Sequence, residues 1–153
     1  MHNDRVIDCL NELIEACRDG QQGFNEAADN VKAADLKTLF KDISQQRAQF
    51  GNELQQQVRA LGGDPEKKGS AAGKVHRAWI DIKGKLTGKD DQGILSETER
   101  GEDSAVEAYQ NALNQDLPAN LRSIVERQYS QVKAVHDRVK KMRDARSAGA
   151  GRR

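Results

Sequence analysis

Near the middle of each of four helically spaced apolar stripes, a polar residue stands where an apolar one is expected: Gln21, Arg47, Glu102 and Gln128. Arg47 continues the run Ile43, Arg47, Phe50, Leu54. Gln128 continues Leu121, Val125, Gln128, Val132, Val135, Val139. A ring of side chains inside a helical bundle can hold metal ions when it is rich in carboxylates and imidazoles. It can lock helix register instead when its charges cancel. Here one carboxylate meets one guanidinium and two amides, which favours the second chemistry. His136 with Glu99, Glu102 or Glu126 is the remaining combination of metal-ligating groups. Three isolated histidines, His2, His76 and His136, make no ligand cluster by spacing.

Nucleophilic chemistry has no support. No Gly-x-Ser-x-Gly elbow occurs, and the glycines of Gly69 to Gly73 lack the lysine and hydroxyl ending of a phosphate loop. Cys9 and Cys17 lie eight residues apart on one expected helix. That places their Cα atoms about 12 Å apart, too far for a disulfide. Cys17 falls on the apolar stripe and reads as a small core residue.

The elements that must position these residues follow from periodicity. The first long helix is expected from about Asp4 to Lys32, with Val6, Leu10, Leu13, Cys17, Gly20, Phe24, Ala27 and Val31 on one face. After a break at residues 33–35, the second runs from about Leu36 to Leu61 and stops at Gly62-Gly63-Asp64-Pro65. The third spans about Gln92 to Asn114, with Ile94, Thr98, Glu102, Ala105, Tyr109 and Ala112 on one face. The fourth begins after Leu117-Pro118 and runs from about Ala119 to near Ala145. Between the second and third lie about thirty residues. There Val75, Ala78, Trp79, Ile82 and Leu86 spell a short amphipathic helix with Trp79 as its anchor. A connection of this length can return along the whole bundle.

Depth can be counted from the turns. Gln21 lies thirteen residues before Ala34 and Arg47 thirteen after it. Glu102 lies fifteen before Leu117, with Gln128 and Gln131 eleven and fourteen after. The four long helices thus bring polar groups to one height. His136 lies about 7 Å beyond Gln131 along the axis, a poor match to Glu102. It reads as a partly exposed, hydrogen-bonded histidine. An internal repeat pairs the halves: the segment from Asp19 to Asn30 resembles that from Arg100 to Asn111, matching Gly20 with Gly101, Gln21 with Glu102 and Glu26 with Glu107. The matched glycines are expected to allow close helix approach at mid-bundle.

Composition agrees with an all-α chain of one domain. Of 153 residues, 36% are apolar, 32% charged and 4% aromatic, with two prolines. No apolar run approaches the roughly 20 residues of a membrane span. The start, MHNDRV, lacks a signal-peptide pattern, so a cytoplasmic protein is expected. The net charge is +1, but residues 133–153 carry eight Lys/Arg and two Asp, a local +6. Such a tail could meet nucleic acid. Without interleaved aromatics or a recognised motif, it reads as a solvated helix end. Residues 4–146 are expected to form the bundle, and 147–153 a disordered basic tail.

The pattern resembles the ferritin-like superfamily: two helical hairpins joined by a long crossover that holds a short helix. That resemblance implies a Glu from the first and third long helices and a Glu-x-x-His from the second and fourth, around two iron or manganese ions. Position by position, this chain offers Gln21, then Arg47 and Phe50, then Glu102, then Gln128 and Gln131. One carboxylate of four remains, and neither histidine does. A closer likeness is to a small bacterial ferritin-like family of unknown function. It rests on the segments Leu10 to Gly20 with Gly23 and Phe24, Gln45 to Phe50, His76 to Trp79, Glu99 to Asp103, and His136 to Arg138. It implies a fold rather than an activity.

The expectation is therefore a ferritin-like four-helix bundle without enzymatic activity or a cofactor, acting as a homo-oligomer or on a protein partner. An Arg47–Glu102 pair replaces the metal site, with Gln21 and Gln128 beside it. The alternative is an atypical iron- or manganese-binding or oxidase-like protein using Glu102, His136, Glu99 or Glu126. A third reading is weak nucleic-acid binding through the basic C-terminus.

Overall fold

The computed structural model describes residues 3–70 and 73–150. They form five helices and, among the described residues, no strand: α1 (Asn3–Asn30), α2 (Ala34–Ala60), α3 (Gly73–Lys83), α4 (Asp91–Leu113) and α5 (Ala119–Ala150). The four long helices fall within a few residues of the periodic stripes. α5 continues to Ala150, through part of the stretch expected to be a disordered tail, and 151–153 lie outside the described residues.

Residues 31–33 turn the chain from α1 into α2, so these helices are antiparallel neighbours with extensive contact. α4 and α5 make the second hairpin. The crossover carries the chain back along the bundle, so that the first turn of α4 meets the end of α1. Asp91 accepts hydrogen bonds there from the backbone N–H groups of Lys32 (2.8 Å) and Ala33 (3.0 Å). α4 is therefore antiparallel to α1 and runs in the direction of α2. α2 and α5 touch least of the neighbouring pairs. Their seam is bridged by polar groups, Gln46 to Gln131 at 3.2 Å and Glu53 to Arg127.

The helix ends obey local chemistry. α2 stops because Gly62 adopts φ +80°, which lets Gly63 N–H reach Val58 O at 2.9 Å. α4 starts at Asp90, whose carboxylate caps Gly93 N–H at 2.8 Å. Ala33 precedes α2 and gives it no side-chain cap.

The core divides into two apolar clusters. One gathers Leu10, Leu13, Leu54, Val58, Leu121 and Val125. The other gathers Phe24, Phe40, Leu36, Ile82, Ile94 and Val139. α3 packs on α1 and α4 and inserts Trp79, which is fully buried, into the second cluster. The indole fills a slot between two glycines. A Cβ on Gly23 would lie 2.1 Å from Trp79 Cε3, and one on Gly101 2.3 Å from Trp79 Cζ2. Gly101 therefore makes room for the indole. Gly20, its partner in the repeat, instead lies under Arg47: a Cβ there would stand 3.4 Å from Nη1.

Candidate functional site: a buried polar layer

Between the two apolar clusters lies an ion pair. Arg47 comes from the buried face of α2 and Glu102 from that of α4; their side chains are 1% and 0% exposed. Arg47 Nη1 donates to Glu102 Oε1 and Nη2 to Oε2, both at 2.6 Å. This fork matches the planar guanidinium to both carboxylate oxygens. Arg47 Nε donates to Gln46 Oε1 at 3.3 Å, and the guanidinium carbon lies 5.8 Å from the Phe24 ring centroid. Burial alone would lower the Arg47 pKa. The charge and hydrogen bonds of Glu102 outweigh it and hold the group above its ordinary value.

A second buried chain adjoins the pair. Tyr109 donates to Gln128 Oε1 at 2.7 Å, and Cys17 Sγ lies 3.4 Å from the same hydroxyl. Gln128 Nε2 donates to Glu53 Oε1 (2.8 Å) and Phe50 O (3.3 Å). Burial pushes the Cys17 thiol up to about 11, against a smaller opposing effect of the Tyr109 hydrogen bond and Arg47, and raises Tyr109 well above its usual value. Neither group ionises near neutrality. A buried thiol and phenol in their neutral forms are poor nucleophiles.

The layer is thus Arg47, Glu102 and Gln128 with Cys17 and Tyr109. Gln21 does not belong to it. Its side chain is exposed, while its backbone oxygen accepts from Ser44 Oγ at 2.8 Å. The height counted from the turn holds, but the azimuth does not. Gly20 faces inward, and Gln21 is rotated one residue, about 100°, round the helix. Gln131 is likewise exposed.

Of the other candidate ligands, Glu102 has both oxygens engaged by Arg47 and Glu126 is exposed. Glu99 and His136 do come together, and Asp103 joins them. The periodic stripe does not single out Asp103, although its position four residues after Glu99 puts both on one face of α4. His76, exposed on α3, contacts the buried Asp19 at 2.9 Å and is not part of this group, and His2 lies outside the described residues.

Residues 5–115 match a family described as a domain of unknown function, DUF2383. The chain belongs to the DUF2383 family. No curated protein matches the sequence. The DUF2383 match spans α1 to α4, including Arg47, Glu102, Trp79 and the glycines that receive it. α5, with Gln128 and His136, lies beyond the matched stretch. No helix among the described residues is long and apolar enough to cross a membrane.

Proposed function

We propose that the protein is a non-enzymatic, ferritin-like bundle that acts through self-association or a protein partner, with the metal position of that superfamily taken over by a polar layer. The observation that carries this reading is the Arg47–Glu102 fork at the centre of the bundle. A di-metal centre brings about four positive charges and needs several anionic oxygens to offset them. Here the buried carboxylate is saturated by a guanidinium, whose own charge repels a cation. The hairpin–crossover–hairpin order and the antiparallel course of α1 and α4 support the ferritin-like architecture. Ile80, at 52%, is the exposed large apolar side chain among the described residues, so the surface offered to a partner is polar. Association through such a surface weakens with salt.

The test combines iron analysis with sedimentation. Purified protein given ferrous iron without oxygen is expected to retain none through Glu102, and to sediment as a dimer or larger species that dissociates as salt rises. Stoichiometric iron lost on Glu102→Ala would overturn the reading, as would a salt-independent monomer that captures no partner.

A further inference from the structure

Away from the central layer, α4 and α5 share a second group of ligating side chains. Glu99 and Asp103, one turn apart on α4, converge with His136 of α5, each offering one ligand atom within 4.8 Å of the others. His136 Nε2 lies 2.6 Å from Asp103 Oδ1. On the other side of the ring, Nδ1 lies 3.0 Å from Asp137 Oδ1. A carboxylate at Nδ1 is the outer partner that orients metal-binding histidines and leaves Nε2 facing the ion. Three carboxylates therefore surround one imidazole.

The cluster already draws a cation. Arg143, about two turns beyond His136 on α5, bonds Glu99 through Nη1, and its side chain remains 29% exposed. Lys133 holds Asp137 from the outer side at 2.7 Å. Glu99 is 10% exposed and Asp103 61%, so the group has a sheltered floor and an open mouth. We infer that Glu99, Asp103 and His136 form a site for a single divalent cation of the zinc class, with Asp137 positioning the histidine and Arg143 as a tethered occupant that the ion displaces. One nitrogen and two carboxylate oxygens from protein, with remaining positions left to water, suit zinc and similar borderline cations. Binding requires the three atoms, which lie within 4.8 Å of one another, to adjust to ligand distances of about 2.0–2.2 Å. The inference concerns residues other than those that carry the proposed function, so either can fail alone.

Zinc titration by calorimetry on chelator-treated full-length protein tests it. One zinc per chain is expected. Asp103→Asn, at an exposed position that leaves folding intact, and His136→Ala should abolish it. Asp137→Asn should weaken binding about 10-fold. Arg143→Gln should tighten it, because the competitor for Glu99 is gone. His76→Ala should leave it unchanged. Absence of zinc binding, binding that survives His136→Ala or follows His76, or indifference to Arg143→Gln overturns the assignment. Circular dichroism melts on each variant separate loss of the site from loss of the fold.

Discussion

Arg47 and Glu102 face each other as two parallel 2.6 Å hydrogen bonds between side chains almost wholly shut off from water. Removing one partner leaves the other charge buried and unpaired. Glu102→Ala should therefore destabilise the fold by about 3–5 kcal/mol. Replacing both residues together, Arg47→Met with Glu102→Leu, should be neutral or stabilising by about 1–4 kcal/mol. Urea unfolding of the three proteins checks both statements. A Glu102→Ala cost below about 0.5 kcal/mol, the range of surface sites, is incompatible with the buried pair.

The slot around Trp79 is equally specific. A methyl group at Gly23 or Gly101 has no room while the indole stays where it is. Gly23→Ala and Gly101→Ala should each cost about 1–3 kcal/mol through overpacking. Since the chain has one tryptophan, the displacement is visible directly. The emission maximum should move to longer wavelength as the indole meets water. Gly62→Ala, in an open turn at positive φ, should lose stability without that spectral change.

The two thiols give a pH dependence with a definite sign. Burial, helped by the charges of Glu12 and Asp8, raises Cys9 to about 12, and burial raises Cys17 to about 11, from an ordinary 9.0. The folded state thus keeps these protons more tightly than the unfolded chain does. Their contribution to stability is complete below pH 9 and is lost as pH rises through 9 towards 11 and 12. Denaturant midpoints should fall over that window, and less steeply in Cys17→Ala. At pH 8 the native protein should resist a thiol reagent that titrates both cysteines after unfolding.

Tyr109→Phe removes the hydroxyl that joins Cys17 to Gln128 and leaves Gln128 Oε1 without that donor. The expected cost is about 1–3 kcal/mol. Adding Gln128→Leu should recover part of it, because the orphaned acceptor goes too. Urea midpoints of the single and double variants decide this, and strict additivity would show that the two side chains are not coupled.

How far the structure can be read from sequence depends on which physical property is asked for. The long helices are legible because their apolar period is sustained over twenty or more residues. The break after Leu61 is legible because only glycine relaxes into φ +80° there. Arg47 and Glu102 stand out because charges on a buried stripe must find each other. Gln21 misleads because a count from the turn fixes height but not azimuth, whereas the apolar stripe itself places Gly20, not Gln21, on the inward face. Cys17 and Tyr109 read as apolar filling, so their hydrogen bonds to the layer carry no signature in the stripe. The approach of His136 to Asp103 depends on the rotation of α5 against α4, which a periodic pattern leaves free by tens of degrees.

The carboxylate of Asp91 on the turn between α1 and α2 has a consequence for modularity. The sequence repeat suggests two equivalent halves, yet the turn of the first half is tied down by a residue of the second. α2 has no side-chain cap of its own, and Trp79 from the crossover is seated by one glycine from each half. The two hairpins are therefore coupled through these contacts. A fragment ending at Gly62 carries its apolar stripe but neither the anchor for its turn nor the indole wedge, so it is expected to be less stable than the same segment within the full chain.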